Sequence, residues 1–133
     1  MKAVPLRIGE GGVVHAEIER AVASNGLKGG FITGIGGLSE ADIGFYNPAT
    51  REYAREHLEA GGEVIEVASL QGNYLITADG SVSVHLHIVA GLKGRVVAGH
   101  LLHGVVKPFL EVFLVETGGE VSEVFTHRAG RIR

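Results

Sequence analysis

The 133-residue chain has no cysteine and no tryptophan, and only three prolines. Without cysteine there are no disulfides, thiolate zinc sites, iron–sulfur clusters or cysteine nucleophiles. An excess of positive charge is also missing. Twelve Lys and Arg against fifteen Asp and Glu leave a net charge of −3 and a pI near 6.1, which argues against a broad electrostatic footprint for nucleic acid. No apolar run approaches the roughly 20 residues of a membrane-spanning helix, and the first residues lack a signal-peptide profile. The expectation is a soluble cytoplasmic protein.

What remains is a globular composition, 45% hydrophobic and 20% charged, in a chain long enough to build a core without staples. No linker, repeat or low-complexity tract divides it, so residues 1–133 read as one domain. A mean hydropathy of +0.23 is high for a small monomer and suggests apolar surface buried between subunits. Glycine is abundant, 21 residues, but dispersed, as turns and close backbone approaches require. There are seven histidines.

Val4 to Ile8 alternates as a short strand. Glu10 to Asn25 carries Val14, Ile18, Ala21 and Val22 at helical spacing and stops at Asn25-Gly26, the one clear helix. Gly30 to Ile35 and Ala41 to Tyr46 read as strands separated by a turn or bulge at Gly34-Ile35-Gly36-Gly37. Arg51 to Ala60 fits an exposed strand or a short helix. Val64 to Leu70 and Tyr74 to Ala78 are strands parted by Gln71-Gly72-Asn73. Val82 to Ala90 and Arg95 to Leu102 flank a tight Gly91–Gly94 hairpin. Val105 to Glu116 is a long strand interrupted at Pro108, which favours an edge or a bulge. Gly118-Gly119 turns into a last strand, Val121 to Thr126. The predicted fold class is α+β, one main helix packed on a mostly antiparallel sheet.

The chemistry concentrates in Val84-His85-Leu86-His87-Ile88 and Ala98-Gly99-His100-Leu101. Strand side chains alternate, so His85 and His87 share one face and Leu86 and Ile88 take the other. Pairing Gly91 with Gly94 sets His85 directly opposite His100, with His87 its diagonal neighbour, close enough for three imidazoles to converge on a metal. Three histidines without cysteine suit zinc, with nickel, copper or iron as alternatives. Three protein ligands plus water is the open arrangement of catalytic sites. For the fourth position the candidates are water, Glu66, Glu111 and His103, the last discounted because strand parity turns it away from His100 unless a bulge intervenes. His15, His57 and His127 are scattered and read as ordinary polar residues.

The chain resembles the plant- and prokaryote-conserved (PPC or PCC) domain family. The resemblance rests on Arg7 with Gly9-Glu10, Gly34-Ile35-Gly36, Glu66-Val67-Ala68-Ser69-Leu70-Gln71-Gly72-Asn73, His85-Leu86-His87, Gly99-His100-Leu101 and Leu110-Glu111-Val112, in that order over nearly the whole chain. It implies a compact domain that assembles as a homotrimer, and a histidine trio, carried onto His85, His87 and His100, that can bind zinc in some prokaryotic members. Ala98 stands where the family usually has glycine. The plant Gly-Arg-Phe-Glu-Ile segment reads Glu63-Val64-Ile65-Glu66-Val67, which weakens transfer of the plant partner-binding role.

Three functions follow as alternatives. A metal-binding interaction module holding a small ligand needs the fewest assumptions. A DNA-binding or transcription-related role has only the basic tail Arg128-Ala129-Gly130-Arg131-Ile132-Arg133 to recommend it, since no AT-hook is present. A zinc-dependent enzyme acting on a small carbonyl or carboxylate compound, by analogy with acetolactate decarboxylase, would use Glu66 or Glu111 as acid or base. Ser69 and Ser81 lack a nucleophile elbow, and Gly34-Ile35-Gly36-Gly37 lacks the context of a dinucleotide site.

Overall fold

A computed structural model describes residues 2–127. The elements are β1 (Lys2–Gly9), α1 (Val14–Ser24), β2 (Gly29–Asn47), β3 (Glu52–Glu59), β4 (Ile65–Ile76), β5 (Val82–Leu92), β6 (Arg95–Glu116) and α2 (Val121–Val124). Every strand pairing is antiparallel. β6 bonds to β5, β5 to β4, β4 to β2, and β2 back to β6, so four strands close a ring. β1 extends it beside β6 and β3 beside β2.

Alternation along each strand fills the inside of this ring. Ile32, Leu70, Leu86, Ile88, Leu101 and Leu114 are buried there. Full burial of each such side chain is worth about 1.5–3 kcal/mol. Helix α1 adds Val14, Ile18, Ala21 and Val22 to the same core and packs on β1, β5 and β6. The chain enters it one turn later than its sequence spacing predicts, because Gly11 at φ 86° makes a turn and Gly12 accepts no side chain beside Ile8.

Several breaks expected from the sequence are continuous strand. Gln71-Gly72-Asn73 runs straight through β4, since Gly72 lies against the backbone of β5. A Cβ there would fall 1.9 Å from the His85 carbonyl oxygen. At Gly34–Gly37 the bulge, not the turn, is what forms, one of several irregularities that bend β2 against β4 and β6. β6 takes in Pro108 at another register shift. Arg51–Ala60 resolves to the exposed strand β3. Val121 to Thr126, expected as a strand, begins instead as the short helix α2. Its Val121 and Val124–Phe125 have helical spacing, and the Phe125 amide donates to the Val121 carbonyl at 2.8 Å. The basic tail 128–133 lies outside the described residues.

Candidate metal centre

Strands β5 and β6 bring His85, His87 and His100 together on the outer face of the ring. Leu86 and Ile88, of opposite parity, point into the core. The ring centroids stand 5.1 Å apart for His85–His87, 5.0 Å for His85–His100 and 5.4 Å for His87–His100. One ligand nitrogen from each lies within 4.8 Å of the others.

The register differs from the sequence expectation by two residues. His87, not His85, is directly opposite His100, and His85 is the diagonal neighbour. The cause is the turn. Lys93 and Gly94 occupy its two central positions at φ 53° and 77°, the double left-handed conformation of a type I′ hairpin. Leu92 remains in the strand and pairs with Arg95.

Burial grades across the trio: His87 is exposed, His85 half-buried, and His100 only 3% exposed. Tyr53 of β3 covers His100, with ring centroids 5.3 Å apart and planes tilted by 35°. That contact depends on Gly44, opposite His100 in β2, where a Cβ would sit 2.8 Å from the Tyr53 ring. Burial and the neighbouring His87 together hold the pKa of His85 below the usual imidazole value, so this ring is neutral at neutral pH. Neutral imidazole is the form that binds a metal.

None of the three residues proposed for the fourth position, Glu66, Glu111 and His103, joins the trio. Glu66 stands opposite Gly91, four residues along β5 from His87, and lines a surface groove with Glu63, Lys93 and Arg95. Glu111 is opposite Arg7 and Ile35 at the far end of β6. A bulge at Leu102 does intervene, but His103 then faces Glu40 at 3.7 Å. Two histidines read as scattered belong to clusters. His57 lies between Asp42 and Glu59, and the His127 ring centroid is 5.6 Å from that of His85. No local pattern announced Tyr53 or His127, because both reach the site through contacts between segments distant in the sequence.

Beside His87 a groove of about 320 Å³ is lined by Ser69, Gln71, Val89, Ala98 and Gly99. At its edge the Gln71 amide donates to Thr33 Oγ1 at 2.9 Å and to Ser69 Oγ at 3.2 Å.

The Plants and Prokaryotes Conserved (PCC) domain profile matches residues 1–118, and the chain belongs to that family. Among solved structures it is similar to a plant- and prokaryote-conserved protein from Pyrococcus horikoshii, at 32% identity and TM-score 0.81 over 90% of this chain and 81% of that one. A metal-containing protein from Archaeoglobus fulgidus is 30% identical, with TM-score 0.77 over 89% and 81%. A protein from Bacteroides thetaiotaomicron, provisionally named DNA-binding, is 26% identical, with TM-score 0.78 over 87% and 79%. No curated protein matches the chain.

Proposed function

We propose that this protein is a single-domain, cytoplasmic, homotrimeric metal-binding module that holds zinc through His85, His87 and His100 and takes a small-molecule ligand in the groove beside His87. The observation that carries the reading is the spacing of the three rings. Imidazoles sharing one tetrahedral zinc through nitrogens at about 2.0–2.1 Å would place their centroids about 5.2 Å apart, and the trio stands at 5.0–5.4 Å. The donor set fits as well. It is all nitrogen, without carboxylate, and the lowered pKa of His85 favours the ligand form. The relative from Archaeoglobus fulgidus, described as metal-containing, adds independent support.

Self-association is supported by an apolar strip on the outer face. Phe31, Ile35 and Phe113 are 44%, 57% and 51% exposed, and they share one side of β2 and β6. The strip borders a groove of about 490 Å³ lined by Pro5, Arg7, Thr33 and Glu111. Patches of this kind mark contact surfaces.

The test is elemental analysis of untagged protein purified without chelator, together with its mass in solution. The expected result is about one zinc per chain in a trimer, and a His87→Ala variant that remains trimeric but loses the metal. Unchanged metal content in that variant overturns the assignment. DNA binding is the second reading, favoured by the name of the Bacteroides relative. It predicts duplex binding that weakens steeply with salt, and no binding at low salt removes it.

A further inference from the structure

The family match ends at residue 118, yet the chain continues along the outer face toward the histidines. The amides of Thr117 and Gly118 both donate to the Gly29 carbonyl, at 2.9 and 3.0 Å. Gly29 permits this approach, since a Cβ there would lie 2.5 Å from the Gly118 oxygen and 2.8 Å from Val121 Cβ. Helix α2 then packs on β2 and β4. Leu75, which shares the outward face of β4 with Asn73, is buried. The segment arrives at His127, whose Nε2 lies 2.6 Å from Asn73 Oδ1 and whose Nδ1 lies 2.8 Å from Ser83 Oγ.

Those two partners frame His85. Asn73 is directly opposite it in the β4–β5 ladder, and Ser83 precedes it by two residues on the same face. Ser83 is 4% exposed. A hydroxyl so buried requires a partner, and His127 supplies it. From this position the His127 ring meets His85 edge-on, at 5.6 Å and 81°. Metal-binding histidines are ordinarily oriented by donating their second ring N–H to a carboxylate or carbonyl. Among the described residues no hydrogen bond does this for His85, whose ring-to-ring contacts are with His87, His100 and His127.

We propose that residues 117–127 form a strap docked by an Asn73–His127–Ser83 latch, and that His127 is a positioning residue that holds the His85 ring in its metal-binding orientation. This rests on the reading of the trio as a metal centre. Both His127 nitrogens are engaged in the latch, so the docked His127 is not itself a ligand. Its effect on the metal passes through His85. Such coupling is reciprocal: the factor by which a docked strap strengthens metal binding is the factor by which metal strengthens docking.

The experiment uses the full chain and zinc ion alone, with wild type, His127→Ala, Ser83→Ala and His87→Ala. Zinc affinity is measured by competition with a chromophoric chelator, cobalt(II) substitution reports ligand geometry, and amide exchange of residues 121–127 is followed with and without zinc. His127→Ala is expected to weaken zinc about tenfold, at the low end of the 10–100-fold range for partners that orient ligands, and to alter the cobalt spectrum. Ser83→Ala should act in the same direction by a smaller factor. Zinc should slow exchange in the wild-type strap by a similar tenfold and leave it unchanged in His87→Ala. A role confined to stability would move neither the cobalt spectrum nor the zinc-dependent exchange. If wild type binds zinc and His87→Ala does not, but His127→Ala matches wild type in affinity and exchange, the strap proposal alone is overturned. If wild type binds no zinc, both readings fall.

Discussion

Two histidine clusters on neighbouring strands of this protein have opposite electrostatics. Around His85, His87 and His100 the ring contacts are imidazoles and the Tyr53 ring. Burial and His87 lower the pKa of His85. Around His57, Asp42 Oδ1 lies 2.6 Å from one ring nitrogen and Glu59 Oε1 lies 2.8 Å from the other. The hydrogen bonds to Glu59 and then Asp42 raise its pKa. Glu40, His57 and Glu59 also lie close enough to surround an ion, so proximity alone does not separate the clusters. The difference is the competing proton. Carboxylates on both sides of an imidazole stabilise imidazolium, which cannot ligate, whereas a half-buried imidazole among other imidazoles stays neutral and available.

The largest effect that would break this contrast is loss of a ligand. His100→Ala should reduce zinc affinity by at least about 100-fold, beyond the range of orienting partners, as measured by chelator competition. Next is the scaffold. Gly72→Ala drives a methyl group into the His85 carbonyl. It should cost about 1–3 kcal/mol in denaturant unfolding, as overpacking does, and weaken zinc binding with it.

The contrast is sharpened by pH. In zinc-free protein, ring-proton NMR titration should place His85 below and His57 above their common reference of 6.5. The stability contributions then run oppositely. That of His57 is present below its unfolded pKa and lost as pH rises through its raised folded value. That of His85 is present above its unfolded pKa and lost as pH falls toward its lowered folded value. His57 is exposed, so its share is small. Coincident titration of the two rings would contradict the contrast. The smallest effect belongs to His57→Gln, expected to leave zinc affinity within about twofold of wild type, since exposed charge contributes weakly at a distance.

The sequence made one part of this site legible and hid another for a physical reason. His85 and His87 on one face, with Leu86 and Ile88 on the other, follow from strand alternation alone. So does helix α1 from Val14, Ile18, Ala21 and Val22. The hairpin was visible but its register was not, because choosing Lys93-Gly94 as the turn depends on which residue tolerates φ above zero. Gly72 reads locally as a break and Gly34–Gly37 as either a turn or a bulge, and only the partner strands reveal the close approach at the first and the bulge at the second. Tyr53 over His100 and His127 beside His85 were beyond local reading. Each is far along the chain from its histidine: Tyr53 arrives on β3 beside β2, and His127 on the segment that follows β6.

X-ray absorption at the zinc edge, on untagged wild type and His87→Ala, tests the central claim most directly. The account predicts a wild-type zinc shell containing three imidazole nitrogens at about 2.0–2.1 Å, absent from the variant. A shell of carboxylate oxygens without imidazole scattering, or one identical in both proteins, would contradict it.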